Sequence, residues 1–232
     1  GLQKMTLLDF PGKVACTLFL QGCNWRCPFC HNSGLLSGPA ETPMETDAFL
    51  HFLETRKGLL DGVCVSGGEP TLHPGLPALM ESIRQMGYAI KLDTNGSRPA
   101  VLKALVEEGL VDYVAMDIKN SPALYPKTAG MDPKWMAAVE ESVAYLLSGT
   151  VDYELRTTVM DELHDECAFR EMGSWLQSVS PDHKIRRFFL QPYVDRESVL
   201  LGGFTAPSNE KLENLAKIMK PYADSVSIRA MD

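Results

Sequence analysis

The chain has 232 residues, with 22 Lys and Arg against 30 Asp and Glu for a formal charge of -8, and is 45% hydrophobic and 22% charged. That composition excludes a disordered or fibrous chain, and the length allows one large domain or two small ones. The acidic balance argues against a nucleic-acid partner, because phosphate affinity comes from Lys and Arg. No apolar stretch reaches the roughly 18 to 20 residues of a membrane span, and residues 1–10 lack the basic and apolar blocks of a signal peptide, so a cytoplasmic location is expected. Of the six cysteines, Cys16, Cys64 and Cys167 stand apart, while Cys23, Cys27 and Cys30 crowd together. In a cytosolic chain such crowding points to metal binding or redox chemistry.

In chain order, strand-like runs fall at residues 14–20, 62–65, 89–93, 113–116, 153–159 and 187–190, with a further candidate at 226–228. Helical patterns lie between them. Residues 47–57 form the first candidate. Leu79, Ile83 and Met86 follow Pro77 and stop at Gly87; Val101, Leu102, Leu105 and Val106 follow Pro99 and stop at Gly109. Asp132-Pro133 opens a helix bearing Met136, Val139, Val143 and Leu147 and ending at Gly149. Residues 166–178 form another, and Ser208 can cap a last one bearing Leu212, Leu215 and Met219. About six strand–helix units predict a parallel sheet covered by helices. Six fall short of the eight of a closed barrel, so a partial barrel or a doubly wound sheet fits the length. Residues 120–133 and 194–207 read as loops within one domain.

The string Gln21-Gly22-Cys23-Asn24-Trp25-Arg26-Cys27-Pro28-Phe29-Cys30-His31-Asn32 follows the first strand, at the end where loops of parallel α/β folds form sites. Three thiolates in one loop can hold three irons of a cubane cluster and leave the fourth open to a small molecule. Two other readings stay open. A structural zinc wants a fourth ligand, for which His31 is poorly placed beside Cys30, and Cys27-Pro28-Phe29-Cys30 has the form of a disulfide-exchange pair. After the second strand, Ser66-Gly67-Gly68-Glu69-Pro70 either brings backbone close to a ligand and offers Glu69 to an ammonium group, or is a plain glycine turn. Cys16 and Cys64 read as core residues, Cys167 as a helix residue without chemistry, and His51, His73, His164 and His183 as scattered.

The Cys-x3-Cys-x2-Cys spacing with Phe29 before its last cysteine resembles the radical S-adenosylmethionine family. The resemblance implies an α/β fold of the partial (β/α)6 TIM-like barrel type. It also implies a 4Fe-4S cluster on Cys23, Cys27 and Cys30, and S-adenosyl-L-methionine chelating the fourth iron until one electron cleaves it to methionine and a 5'-deoxyadenosyl radical. Gly67-Gly68-Glu69 resembles the family motif that contacts the amino group of that cofactor. Asp93-Thr94-Asn95-Gly96 and Met116-Asp117-Ile118-Lys119 look like segments of the glycyl-radical-enzyme activating proteins, although alone they read as an Asx turn and a charge pair. Cofactor contacts implied in this way are Phe29, His31, Gly67, Gly68, Glu69, Asn95, Asp117, Lys119 and Arg156. Arg156 could equally be paired with a carboxylate near the rim. Asp93, Thr94 and Asp117 become candidate ligands of a monovalent cation.

Leu190-Gln191-Pro192-Tyr193-Val194 is similar to a family pattern that often ends in histidine, and departs from it at Val194. Residues 4–12, 17–23 and 27–32 resemble the anaerobic ribonucleoside-triphosphate reductase activating proteins. This implies a single domain over 1–232, with 1–13 and 208–232 as additions. It also implies a glycyl radical enzyme as protein substrate and a flavodoxin or ferredoxin as electron donor. The alternatives are a radical enzyme acting on a small molecule, and a non-catalytic Fe-S or zinc-binding module.

Overall fold

The computed structural model describes residues 1–36 and 43–229. The chain enters as β1 (Leu2–Thr6), turns back and runs as β2 (Ala15–Leu20). From there strand and helix alternate through α1 (Thr46–Glu54), β3 (Gly62–Gly67), α2 (Leu76–Gln85), β4 (Ala89–Thr94), α3 (Pro99–Glu107) and β5 (Tyr113–Asp117). They continue through the short α4 (Tyr125–Ala129), α5 (Met136–Leu147), β6 (Asp152–Val159), α6 (Glu166–Val179), β7 (Ile185–Pro192), α7 (Asn209–Met219) and β8 (Ala223–Ile228). All eight strands form one sheet in sequential order. β1 is antiparallel to β2, and each later pair is parallel. This is an α/β fold of the partial-barrel kind, with the expected six strands, β2 to β7, extended by β1 and β8.

The interior strands read as apolar runs because both their faces are covered. Val63, Val65, Ile90, Leu92, Val114 and Met116 are fully buried, and the helices close over them with Met80, Ile83, Leu105, Val143 and Leu176. Helix α2 starts at Leu76, with Pro77 in its first turn as expected, but its buried stripe is Leu76, Met80 and Ile83 rather than Leu79, Ile83 and Met86. Asp132 caps a 3-10 turn, Pro133–Trp135, before α5 begins. Ser208 caps α7 through the Lys211 N–H, as its position indicated.

Two elements were not foreseen. Most of β1 is exposed, so it carries no alternation of apolar and polar residues to mark it as a strand. Helix α4 lies inside the segment read as a loop, and a single turn is too short to show a helical period. It matters, because it seats the cysteine loop. Among the described residues no helix is long and apolar enough to cross a membrane.

Candidate active site

Parallel pairing brings the C-terminal ends of β2 to β6 to one side of the sheet. There a single cavity is lined by Cys23, Cys27, Cys30, Phe29 and His31 from the first loop, Gly67 and Gly68 from the second, and Asp93, Thr94, Asn95, Asp117, Lys119 and Arg156 from the following strand ends. Residues from Cys23 to Thr158, 135 positions apart, thus face one space. Of the expected site residues only Glu69 is missing from the lining.

The cysteine loop is fastened on both flanks. On one side the Arg26 N–H donates to the Ala129 and Gly130 carbonyls at the end of α4, at 3.2 and 3.3 Å. Gly130 holds φ +59°, and a β-carbon there would lie 2.2 Å from the Arg26 carbonyl oxygen, so only glycine admits this approach. The Arg26 guanidinium turns back onto the Cys23 and Trp25 carbonyls, and Trp25 stands edge-on to Tyr125, ring centroids 6.0 Å apart. On the other side Leu200 and Leu201 donate backbone N–H groups to the Cys30 and Pro28 carbonyls. His31 bonds the Val194 carbonyl at 2.6 Å and stacks on Tyr193. Val194, which departs from the family pattern in its side chain, therefore meets this loop through its backbone. Phe29 is buried edge-on to Phe204, and the Lys119 ammonium lies 5.9 Å from its ring centre.

Burial pushes the Cys27 thiol up to about 11, with Lys119 opposing; burial likewise raises Cys23, opposed by the Trp25 N–H at 3.4 Å from its sulfur. Desolvated thiols of this kind ionise on meeting a metal, whose charge replaces the lost hydration. All six cysteines are free thiols. Among the described residues no three Cys, His, Asp or Glu groups converge on a point that one ion could occupy. A cubane takes one thiolate per iron at separated corners. The Asn95 amide, 4.0 Å from the Cys23 sulfur, adds a second N–H beside it. Trp25, also in the lining, carries a buried Nε1 without a partner among the described residues. Soft donors, nearby N–H groups and spare room at the strand ends fit a 4Fe-4S cluster with a polar cofactor beside it.

Along the strand ends runs a partly buried chain of charge. Lys91 bonds Asp93, Asp93 pairs with Arg156 at 3.2 Å, Arg156 with Asp117, and Asp117 with Lys119 at 2.9 Å. Burial opposes ionisation of Asp93 and Asp117, but Arg156 with Lys91 or Lys119 outweighs it and holds both carboxyls below the usual range. Of this chain Lys119 and Arg156 reach the cavity together with Asp93 and Asp117, so two cationic donors there can meet a carboxylate-bearing ligand. Arg156 thus satisfies both of its sequence readings, paired with carboxylates and lining the cavity. Of the candidate ligands of a monovalent cation, the Asp93 and Asp117 carboxylates meet side-chain cations. Thr94 Oγ1 donates to Glu69.

Glu69 differs most from expectation. Its carboxylate is fully buried and accepts from the Thr71 N–H and hydroxyl, the Thr94 hydroxyl and the Asn95 N–H, the last at 2.6 Å. Three of these donors share Oε1 and one reaches Oε2, so Glu69 ties the β3 loop to the end of β4 under the cavity and keeps acceptor capacity on Oε2. Burial raises its pKa, partly offset by these donors. The glycines before it line the cavity but are required by the chain itself. β-Carbons at Gly67 and Gly68 would lie 2.1 Å from the Leu20 and Gly22 carbonyl oxygens.

Trp25, Asn32, Ser66 and Thr158 line the cavity without having been singled out. Thr158 was within reach, since it lies two residues after Arg156 on one strand and so on the same face. His164, dismissed as scattered, is buried, accepts the Met160 N–H at Nδ1 and bonds the Lys119 carbonyl through Nε2 at 2.9 Å. Burial lowers its pKa to about 4.

A family model described as the radical SAM superfamily matches residues 17–172. A Methanocaldococcus jannaschii protein, whose name proposes it as a glycyl-radical enzyme activating enzyme, is 28% identical over 240 residues, covering 100% of this chain and 95% of its own. A 7-carboxy-7-deazaguanine synthase of Hyperthermus butylicus is 33% identical over 129 residues, 55% of this chain and 52% of its own. A pyruvate formate-lyase-activating enzyme of Clostridium pasteurianum is 29% identical over 125 residues, 52% and 51%. Both of the latter likenesses span about half of the relative. Among solved structures, Streptococcus suis SuiB bound to its precursor peptide SuiA superposes with a TM-score of 0.70 at 13% identity, over 91% of this chain and 47% of that one, a likeness of fold.

Proposed function

Because the chain belongs to the radical SAM superfamily, whose enzymes use a 4Fe-4S cluster and S-adenosylmethionine, we propose that it is an activating enzyme that raises a glycyl radical on a partner protein. The observation that carries this reading is the end-to-end likeness to the jannaschii relative, with Cys23, Cys27 and Cys30 gathered in one cavity. Cys23, Cys27 and Cys30 hold the cluster, and the N–H groups of Trp25 and Asn95 offset negative charge on the Cys23 sulfur. The chemistry the bound pair supplies is one-electron cleavage of the sulfonium bond, which yields methionine and a 5'-deoxyadenosyl radical. Lys119 and Arg156, held by Asp117 and Asp93, present positive charge to the carboxylate of the cofactor. Phe29 and Trp25 wall the cavity with buried rings and restrict water.

The partner proposed is anaerobic ribonucleoside-triphosphate reductase, on the resemblance in residues 4–12, 17–23 and 27–32. The electron donor proposed is a flavodoxin or ferredoxin, acting in the cytoplasm. Reconstituted anaerobically with iron and sulfide and then reduced, the protein should convert S-adenosylmethionine to 5'-deoxyadenosine and raise a glycyl radical signal on that reductase. Cys27→Ala should abolish both. A zinc-loaded chain that forms no cluster would refute the reading. The relatives named as deazaguanine synthases favour a second reading, a small-molecule substrate. It predicts cleavage coupled to a small molecule, with no radical on any protein.

A further inference from the structure

A second cavity adjoins the first and shares His31, Arg156 and Thr158 with it. Whatever occupies it therefore lies next to the cofactor cavity. Its remaining lining includes Gln191, Arg196, Arg229 and, as the one carboxylate among the described lining residues, Asp9. The charges there are not equally available. Arg156 is held by Asp93 and Asp117. Arg229 is held by Glu154 at 2.7 Å and lies over the Phe189 ring, 4.4 Å from its centre. Asp9 accepts the Thr17 hydroxyl at 2.5 Å.

Among the described residues no group pairs with the Arg196 side chain. Its loop is nonetheless fixed relative to the cysteines, through the Leu200 and Leu201 bonds to Cys30 and Pro28 and a Ser33 hydroxyl bond to the Ser198 carbonyl at 2.6 Å. Leu8 at the edge of this cavity is 58% exposed, and neighbouring Leu7 is 68% exposed. Arg196 itself is exposed; its free guanidinium, on an anchored loop and in one lining with a second arginine and with apolar surface next to it, suits a carboxylate on an otherwise uncharged segment.

We propose that this cavity is the subsite for the partner's reacting segment, and that Arg196, beside Arg229, binds an acidic side chain flanking the reacting glycine. The inference deepens the activating-enzyme reading and rests on it for the identity of the ligand. Two capped, dye-labelled decapeptides of Ser and Ala provide the probe. Each has a central α-dideuterated glycine flanked two positions away by Asp in one and Lys in the other. Binding is measured by fluorescence anisotropy on the reconstituted protein with S-adenosylmethionine present, at low and high salt.

The Asp peptide should bind at least about tenfold tighter, equivalent to about 1.4 kcal/mol, with the margin shrinking at high salt. Arg196→Glu should reverse the preference in favour of the Lys peptide, a gain that a misfolded variant cannot produce. Lys220→Glu, an equal charge change at the exposed end of α7, should leave it alone. Equal binding of the two peptides, no binding of either, or an unchanged preference in Arg196→Glu would overturn the proposal. Deuterium transfer into 5'-deoxyadenosine judges the underlying reading separately. Asp-selective binding without transfer from the peptide or the partner would keep the carboxylate site and remove the activating role. Transfer from both peptides without dependence on Arg196 would do the reverse.

Discussion

Replacing Gly130 by alanine drives a methyl group into the backbone of the cysteine loop. The residue sits at φ +59°, where a side chain costs about 1–2 kcal/mol. Its β-carbon would also stand 2.2 Å from the Arg26 oxygen and 2.6 Å from the Arg26 carbonyl carbon. Both are backbone atoms, so the contact is relieved only by moving the segment between Cys23 and Cys27. That movement stretches the Arg26 N–H bonds to Ala129 and Gly130, worth about 1 kcal/mol in net terms for such a shared donor. The expected loss is about 2–4 kcal/mol, or very roughly 4–16 °C in melting temperature at about 2–4 °C per kcal/mol for this size. Gly109→Ala is the matched control: φ is +70°, but nothing lies within 4 Å of its β-carbon, so only the conformational cost applies. Melting curves of both variants, and iron bound per chain after reconstitution, check the reasoning. Gly130→Ala should take up far less iron than Gly109→Ala. Equal iron in the two variants would show that the seat on α4 does not position the thiols.

His164 predicts a specific acid sensitivity. Its folded pKa of about 4 lies below the ordinary 6.5, so its contribution is complete above pH 6.5 and is lost as the pH falls toward 4. Between pH 7 and pH 5 the loss is about 2 kcal/mol, measurable as a falling urea midpoint, and His164→Gln should flatten that part of the profile. A wild-type profile flat across this range would contradict the burial argument. Asp117→Asn leaves Lys119 and Arg156 with only Asp93 between them, and should cost about 3–5 kcal/mol in urea unfolding. Adding Lys119→Met should restore part of it, since the excess charge is then removed; simple additivity of the two losses would show that they are not coupled.

Much of the architecture was legible in the chain because strand and helix periodicity are local properties. The runs at residues 62–65 and 113–116, and the stops at Gly87 and Gly109, needed no partner to be recognised. β1 and α4 were not legible, one because its exposed side chains carry no pattern, the other because one turn has no period. The same division holds at the site. Thiols crowded within one loop announce soft-metal chemistry, since their proximity is covalent. The bonds that Thr71, Thr94 and Asn95 make to Glu69 were not legible, because those donors reach it only in the folded chain. Likewise a motif of two glycines does not reveal whether ligand or backbone approaches it; at Gly67 and Gly68 it is the Leu20 and Gly22 backbone.

The sequence by itself determined the alternation of elements, the three thiols on one loop and the family to which their spacing belongs, all of which are set by short-range spacing. Only the tertiary structure decided that Arg156 bridges Asp93 and Asp117, that His164 stands behind Lys119, and that Arg196 lines a second cavity. Those relations join residues from separate strands and loops. Charge pairing and burial act through space, and folding alone sets the distances over which they act.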